Sequence, residues 1–434
     1  MKKYFAIAVL AALTIAAVSC KKEKDTLPSV TVAVTVDGQP FAVEGVKVVL
    51  ADQAGTASYE ALTDAAGNAK FKVLAGAYRA SASYRKLEGE KQFVYNGAAD
   101  ITVAGDATFP LALNKVECSQ VIIKELYQGG CQIGDGKSTS DDAYIILYNN
   151  SDKEADASEV VFGILNPSNG NATNKFIVDG KLTYEDAGYV PAYSAIWWFT
   201  SPVKIPAYSQ IVIAIFGAID HSATYPNSVN LSKSEYYWMS NTEISATFKN
   251  AKYKVADGIP TTHYLTTQPF NAGNAWVISN GSPALFIAKM AAASVQTLVS
   301  ATADFDITAG SAMGAPKFPA ANILDAIEVW SNANLEKSNY RFPAKINTGY
   351  VGLTNQQGYT LYRNVDKEAT EALAENEGKL VYSYACGTAD LDGGSTDPSG
   401  IDAEASIKAG AHIIYSDTND TSKDFHQRKV SSLK

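Results

Sequence analysis

Histidine and cysteine are scarce in this sequence, which has only four of each among 434 residues. His221, His263, His412 and His426 lie far apart, and none stands at a metal-ligand spacing from another. A zinc or haem site made from neighbouring residues is therefore not expected, although ligands distant in sequence can still converge. The sequence also lacks a nucleophile elbow, a Walker loop, a zinc-protease helix and a paired CxxC motif. We therefore predict that the protein is not an enzyme.

Positive charge is also in deficit, with 36 lysines and arginines against 45 aspartates and glutamates, for a net charge of −9. A negative surface argues against nucleic acid as a partner, because nucleic-acid binding depends on lysine and arginine contacts to phosphates. No second long apolar run follows the one near the start of the chain. No later segment is therefore predicted to span a membrane.

The first residues predict export and lipid attachment. Two lysines precede an uncharged, mostly apolar run over residues 4–18, and small residues then lead into Cys20. This order is typical of a secretory signal, and the run is shorter than the roughly 20 residues that a membrane span needs. The cysteine after small residues resembles a bacterial lipobox. We predict a signal peptide over residues 1–19, a lipid on Cys20 and a tether over residues 20–28; the alternative is a plain signal peptide with an incidental cysteine.

Two short motifs after this cysteine resemble those of lipoproteins from the Bacteroidetes. The charged block over residues 21–25 resembles their surface-export signals. Asp25-Thr26-Leu27 resembles their O-glycosylation site and makes Thr26 the candidate residue. The resemblance implies a lipid-anchored protein of the outer membrane that faces the cell surface.

Three cysteines remain in the body of the protein: Cys118, Cys131 and Cys386. An oxidising compartment permits one disulfide among three cysteines and leaves one thiol over. Cys118 with Cys131 is the most local pair and is our prediction. The alternative is three free thiols.

Strand patterns dominate the chain. It contains 24 tyrosines and many β-branched residues, which favour strands. Val30, Val32, Val34 and Val36 recur at every second position, as in a half-buried strand, and Asp37-Gly38 predicts a turn after them.

Residues 29–115 resemble a small transthyretin-like module of the carboxypeptidase-regulatory type. The resemblance rests on Gly45-Val46-Lys47-Val48, on Thr63-Asp64-Ala65-Ala66-Gly67 and on Gly76-Ala77-Tyr78. Such modules are β-sandwiches that serve as spacers or docking platforms near a membrane anchor.

Residues 116–434 resemble a larger sandwich of the lamin-tail type. An apolar strand with a Glu runs into glycines over residues 121–130, and a second strand ends in Tyr-Asn-Asn-Ser at residue 151. Residues 358–364 and 417–425 resemble the closing motifs of that family. The layout as a whole resembles a Bacteroidetes lipoprotein family of unknown function. We predict an all-β protein in which a small immunoglobulin- or transthyretin-like sandwich precedes a larger sandwich with inserted loops.

Two sets of residues are candidates for binding. Asp390, Asp392 and Asp397 lie in a glycine-containing loop that could curl around calcium, although such loops are also common turns. Apart from this calcium candidate we predict no cofactor. Flat aromatic side chains stack on sugar rings or peptides and dominate binding hot spots. The aromatic candidates lie in the inserted region and are Trp198, Tyr236, Tyr237 and Trp238.

These features leave three hypotheses for function. The first is a surface lipoprotein that binds a glycan, a peptide or a metal chelate as an accessory to a TonB-dependent outer-membrane uptake system. The second is a structural or adhesive surface protein. The third is an extracytoplasmic hydrolase whose acids, such as Glu125 and Asp142, come together from distant positions and need a cleft between them.

Overall fold

The computed structural model describes residues 27–52, 57–88, 91–242, 250–269, 278–310 and 314–434. Cys20 and Thr26, the predicted sites of lipid and glycan, lie outside the described residues. In these ranges, no helix is both long enough and apolar enough to cross a membrane. The chain divides into two compact units, one made of residues up to Ala82 with Gly97–Leu113, the other of Ser83–Asn96 with Asn114–Lys434.

The first eight strands form one sheet, most of which belongs to the smaller unit. They are β1 (Ser29–Val36), β2 (Gln39–Pro40), β3 (Lys47–Asp52), β4 (Ser58–Leu62), β5 (Asn68–Lys72), β6 (Gly76–Glu88), β7 (Lys91–Val103) and β8 (Ala107–Cys118). Their order in the sheet is β2-β1-β8-β7-β6-β3-β4, and β5 pairs with β1. Unit boundaries fall within β6, β7 and β8.

The alternating valines of β1 form part of the core of the smaller unit. Val30, Val32 and Val34 are buried while the residues between them are partly exposed, which confirms the predicted half-buried strand. Asp37 and Gly38 both have positive φ, as a two-residue hairpin turn requires. The apolar side of this strand therefore drives the packing, and the turn sets the register of β2.

The larger unit continues with 19 strands among the described residues. They are β9 (Val121–Tyr127), β10 (Cys131–Gly134), β11 (Lys137–Thr139), β12 (Tyr144–Asn149), β13 (Ala155–Asp156), β14 (Val160–Leu165), β15 (Ile177–Val178), β16 (Lys181–Leu182), β17 (Tyr189–Trp198), β18 (Lys204–Ile205), β19 (Gln210–Ala214), β20 (Tyr237–Trp238), β21 (Thr266–Pro269), β22 (Ala284–Lys289), β23 (Lys317–Pro319), β24 (Ile323–Ser331), β25 (Val351–Leu353), β26 (Thr360–Arg363) and β27 (Phe425–Arg428). The helices are short: α1 (Ala292–Ser300), α2 (Lys367–Glu371), α3 (Ala403–Lys408) and α4 (Thr421–Asp424).

Two sheets form the body of the larger unit. One has the order β20-β19-β12-β9-β26-β27, and the other has the order β21-β17-β14-β22-β24-β25 with β23 paired to β17. The largest apolar core takes side chains from both sheets, as expected for two sheets packed face to face. The predicted all-β sandwich is therefore confirmed.

Each of these sheets is also covered on its other face. Trp198 and Phe286 pack with Val295 of α1 in a second core. Tyr148 and Tyr362 pack with residues of the C-terminal region in a third. Because both faces are covered, β9, β12 and β14 are buried along their whole length.

Candidate functional site

The predicted aromatic cluster is part of the core. Trp198, Tyr236 and Trp238 are only 5%, 6% and 2% exposed, and the indole nitrogen of Trp238 donates to the Phe216 carbonyl at 2.7 Å. Tyr237 is half-buried and stacks on His263 at 4.4 Å between ring centroids. The prediction of an exposed ligand-binding surface was wrong, because the sheet that carries Trp198 is covered on both faces.

The calcium candidates are not brought together. Asp390 is exposed and pairs with Lys429 at 2.8 Å. Asp397 is buried, and its oxygens accept from the backbone nitrogens of Val365 and Ser399. Asp392 is exposed. Over the described part of the chain, no group of three His, Cys, Asp or Glu side chains could hold a metal ion. The predicted site is therefore a turn in which Asp397 orders the backbone.

The predicted disulfide is absent, and the alternative of free thiols is what the structure contains. The three cysteines of the described residues are all free. The thiol of Cys118 donates to the Asp417 carbonyl at 3.1 Å, whereas that of Cys131 lies 3.6 Å from an Asp142 carboxylate oxygen. The cysteines are separated because β8 and β10 direct them to different partners.

Glu125 and Asp142, the acids considered for a hydrolase, are both fully buried. Glu125 accepts from the Tyr144 hydroxyl at 2.6 Å. Asp142 accepts from the hydroxyls of Tyr127 and Ser228 at 3.1 and 2.5 Å, and burial raises the pKa of its carboxyl. These acids tie strands together, and neither is placed to face a substrate.

Three carboxylates surround Arg363, which is also fully buried. Its guanidinium bonds Asp325 and lies 3.5 Å from Asp417 and 3.8 Å from Asp424. Burial, together with the charge of Asp325, raises the pKa of Asp417 to about 7. One guanidinium facing three carboxylates holds β24, β26 and the 417–424 segment together, which is a structural role.

A groove elsewhere in the larger unit has the properties of a binding site. It has a volume of about 1210 Å3. One wall is the β15–β16 hairpin with residues 183–187, and the other is the segment 338–349. Trp330, near the end of β24, also lines the groove. We call this the Tyr340 groove, after its most exposed aromatic side chain, which is 46% exposed.

A buried ion pair fixes the second wall of the groove. Arg341 is fully buried, and its guanidinium donates to Glu328 at 2.9 Å from Nε and at 2.5 Å from Nη2. Its backbone nitrogen donates to the other carboxylate oxygen at 3.0 Å. Burial raises the pKa of Glu328, and the charge of Arg341 opposes that shift. Because Arg341 is held at three points, its neighbours Tyr340 and Phe342 are held against the groove.

Hydrogen bonds also join the two walls. The hydroxyl of Tyr184 donates to the Arg341 carbonyl at 2.6 Å. The backbone nitrogen of Ala344 donates to Glu185 Oε1 at 3.0 Å. The hairpin itself turns through Asp179 and Gly180, both of which have positive φ. The groove is therefore formed before any ligand arrives, as is usual for small-molecule sites.

Two aromatic side chains of the groove lining, Trp330 and Tyr340, form a stack with Tyr350. Trp330 lies parallel to Tyr350 with 3.9 Å between ring centroids, and Tyr340 packs on it at 4.8 Å with a tilt of 45°. Trp330 is only 8% exposed, so Tyr340 presents most of the accessible aromatic surface. Packing of Tyr340 against Trp330 limits its rotation and makes it a rigid platform.

Asn347 supplies an unused hydrogen-bond donor at the groove. Its side chain is 4% exposed and lines the groove. Its Oδ1 accepts from the Thr421 hydroxyl at 3.0 Å, but its Nδ2 has no partner. Buried polar groups are nearly always hydrogen-bonded. The amide nitrogen is therefore an unsatisfied donor buried in the wall of the groove, and a ligand oxygen that displaces part of that wall would satisfy it.

The charged side chains that line the groove are Lys181, Glu185 and Asp186, for a net charge of −1. Among the described residues of its lining there is no histidine or cysteine. The arrangement offers an aromatic platform, hydrogen-bond donors and acceptors, which are the properties of a binding site. The sequence did not reveal the groove, because its two walls lie about 150 residues apart in the chain. The closely spaced aromatic residues Trp330, Tyr340 and Tyr350 were the one signal in the sequence that could have indicated it.

Comparison with known proteins supports the expected uncharacterised family. Residues 208–383 match the family model described as a protein of unknown function, DUF4876. This range includes Trp330 and the 338–349 wall of the groove but not the hairpin wall. Among functionally curated proteins, none matches the chain.

Among solved structures, the similarity is one of fold. The structure is similar to the crystal structure of a DUF4876 family protein from Bacteroides thetaiotaomicron, with 15% identity, coverage of 92% of this chain and 94% of that one, and a TM-score of 0.50. A minor pilin of Streptococcus agalactiae matches with 13% identity over 21% of this chain and 45% of its own. A DUF3823 family protein of Parabacteroides merdae matches with 11% identity over 43% of this chain and 79% of its own. Both of these have TM-scores of 0.17, too low to establish a common fold.

Proposed function

We propose that this protein is a non-catalytic binding protein of the cell surface that holds a ligand in the Tyr340 groove. The observation that carries the proposal is the exposed ring of Tyr340, which packs on Trp330 in a groove that Asn347, with its unpartnered amide nitrogen, also lines. A rigid aromatic anchor next to a few placed polar groups is the usual composition of a ligand site. The groove needs no covalent chemistry for this role.

We further propose that a lipid on Cys20 anchors the protein at the outer membrane and that it serves a TonB-dependent uptake system. Support for the anchor comes from the lipobox-like sequence at Cys20 and the charged block that follows it. Two or more acyl chains give stable anchoring, so a folded body on a short tether would remain at the membrane surface. There it could pass its ligand to a receptor in the same membrane.

Equilibrium dialysis against a complex mixture tests whether the groove binds a ligand. The purified protein is dialysed against fractionated spent growth medium, and retained compounds are identified by mass spectrometry. We expect the wild type to retain a compound that Tyr340→Ala loses. Tyr382→Ala is the matched control, since Tyr382 is 56% exposed and does not line the groove. Equal retention by the wild type and Tyr340→Ala would contradict the assignment of this groove.

Two further measurements test the anchor and the partner. Metabolic labelling with a fatty acid should label the wild type but not Cys20→Ala, and equal labelling would exclude lipid on this residue. Purification from the outer membrane in mild detergent should then recover a TonB-dependent receptor in stoichiometric amount. Recovery of the lipoprotein alone would contradict the uptake role and favour the structural or adhesive alternative.

A further inference from the structure

We infer that the ligand of the Tyr340 groove is a neutral oligosaccharide, an inference that rests on the proposed function of the groove as a binding site. The size of the groove is the first reason. Its volume of about 1210 Å3 exceeds the range of roughly 300–1,000 Å3 that is usual for drug-sized ligands. The space between its walls accommodates a chain of several rings better than a single one.

The mixture of surfaces in the groove is the second reason. A sugar ring has an apolar face of C–H groups and a rim of hydroxyls that both donate and accept hydrogen bonds. Tyr340 offers a flat aromatic face of the kind that packs on such a ring. Asn347 Nδ2 offers a donor, and the carboxylates of Glu185 and Asp186 offer acceptors. Since an unpartnered buried donor is destabilising, a ligand hydroxyl that accepts from Asn347 gains affinity.

The charge of the groove is the third reason. Its lining has two acidic side chains and one basic side chain. Arg341, the strongest cation nearby, is buried and fully occupied by Glu328 and by the carbonyls of Pro167 and Ser282. A phosphate, sulfate or uronate would meet a net negative lining without a free guanidinium to bind it. Neutral sugars avoid this repulsion.

The test uses an array of neutral oligosaccharides made of common hexoses and pentoses, with oligogalacturonate and neutral peptides of equal length as comparison probes. Sugars that bind are then titrated by calorimetry. We expect at least one neutral oligosaccharide to bind, and oligogalacturonate and the peptides not to bind. The affinity for that sugar should change little when salt is raised, because no charge pairs are formed.

Four variants assign the binding to the groove. Tyr340→Ala should weaken binding by roughly tenfold or more, the loss typical of an aromatic hot spot. Tyr340→Phe keeps the ring and should bind like the wild type. Asn347→Asp keeps the acceptor for Thr421 but removes the donor, so it should also weaken binding. Asn322→Asp, a half-buried asparagine outside the groove, should not.

The outcomes separate the ligand class from the site. If no neutral sugar binds while dialysis retains a peptide or another compound that Tyr340→Ala loses, the saccharide assignment is overturned and the binding role stands. If dialysis retains nothing and the array is negative, both are overturned. If a sugar binds equally to the wild type, Tyr340→Ala and Asn347→Asp, with all three folded by thermal melting, the groove is not its site.

Discussion

Replacing Glu328 with glutamine removes the negative charge that pairs with the buried guanidinium of Arg341. The guanidinium keeps its bonds to the carbonyls of Pro167 and Ser282, at 3.1 and 2.9 Å, but neither carbonyl carries a formal charge. Removing one partner of a buried pair leaves an uncompensated charge and costs about 3–5 kcal/mol. Both side chains of this pair are at most 1% exposed, so solvent cannot offset the loss. We expect Glu328→Gln to lower the free energy of unfolding by about 3–5 kcal/mol.

Tryptophan fluorescence during urea unfolding is a suitable assay. All five tryptophans lie in residues 114–434, so the signal reports on the larger unit alone. The double variant Glu328→Leu, Arg341→Met should recover much of the lost stability, because apolar replacement of a whole buried pair is often neutral. The matched control is the surface pair of Asp156 and Lys204, whose side chains are 48% and 51% exposed.

The control shows how small a change in the free energy of unfolding would refute the prediction for Glu328. Asp156→Asn should change the free energy of unfolding by about 0–1 kcal/mol, as exposed ion pairs do. If Glu328→Gln fell in that same range, the guanidinium of Arg341 would not depend on Glu328, and our account of how the groove wall is fixed would be wrong. Loss of ligand binding with unchanged stability would instead assign Glu328 a direct role in binding.

Three further predictions concern packing, pH and thiol chemistry. A Cβ at Gly163 would overlap the ring of Phe286, so Gly163→Ala should cost about 1–3 kcal/mol in urea unfolding, and adding Phe286→Leu should restore part of it. Burial lowers the pKa of His426 from 6.5 to about 3, so below pH 6.5 the unfolded chain binds a proton that the folded chain does not. The free energy of unfolding therefore falls as pH falls, and between neutral pH and pH 5 it should drop by about 2 kcal/mol more in the wild type than in His426→Gln. Equal drops in the two proteins would show that His426 is not the cause. Burial also raises the pKa values of Cys118 and Cys131. Both thiols should therefore resist reaction with a maleimide at neutral pH until urea unfolds the protein. A protein mass that rises by two hydrogens on reduction would instead show a disulfide.

A local pattern in the sequence predicted the first strand correctly. The alternation of Val30, Val32 and Val34 follows from the period of two in a strand, and the structure has this strand at Ser29–Val36. The same period places Trp197 and Trp198 on opposite faces of one sheet. It could not show that both faces are covered, because covering depends on segments far away in the chain. The exposure expected for Trp198 was wrong for this reason.

The sequence by itself determined the all-β class, because periodicity and turn residues act between neighbours in the chain. Only the tertiary structure decided the site. The Tyr340 groove requires the hairpin Ile177–Leu182 and the segment 338–349 to meet, and the Arg341–Glu328 pair to be buried under them. A residue type reveals what a side chain can bind, but its exposure and its partners depend on which distant residues pack around it. Tyr237 and Tyr340 cannot be told apart by residue type. The packing around them decides that Tyr340 is the one open to a ligand.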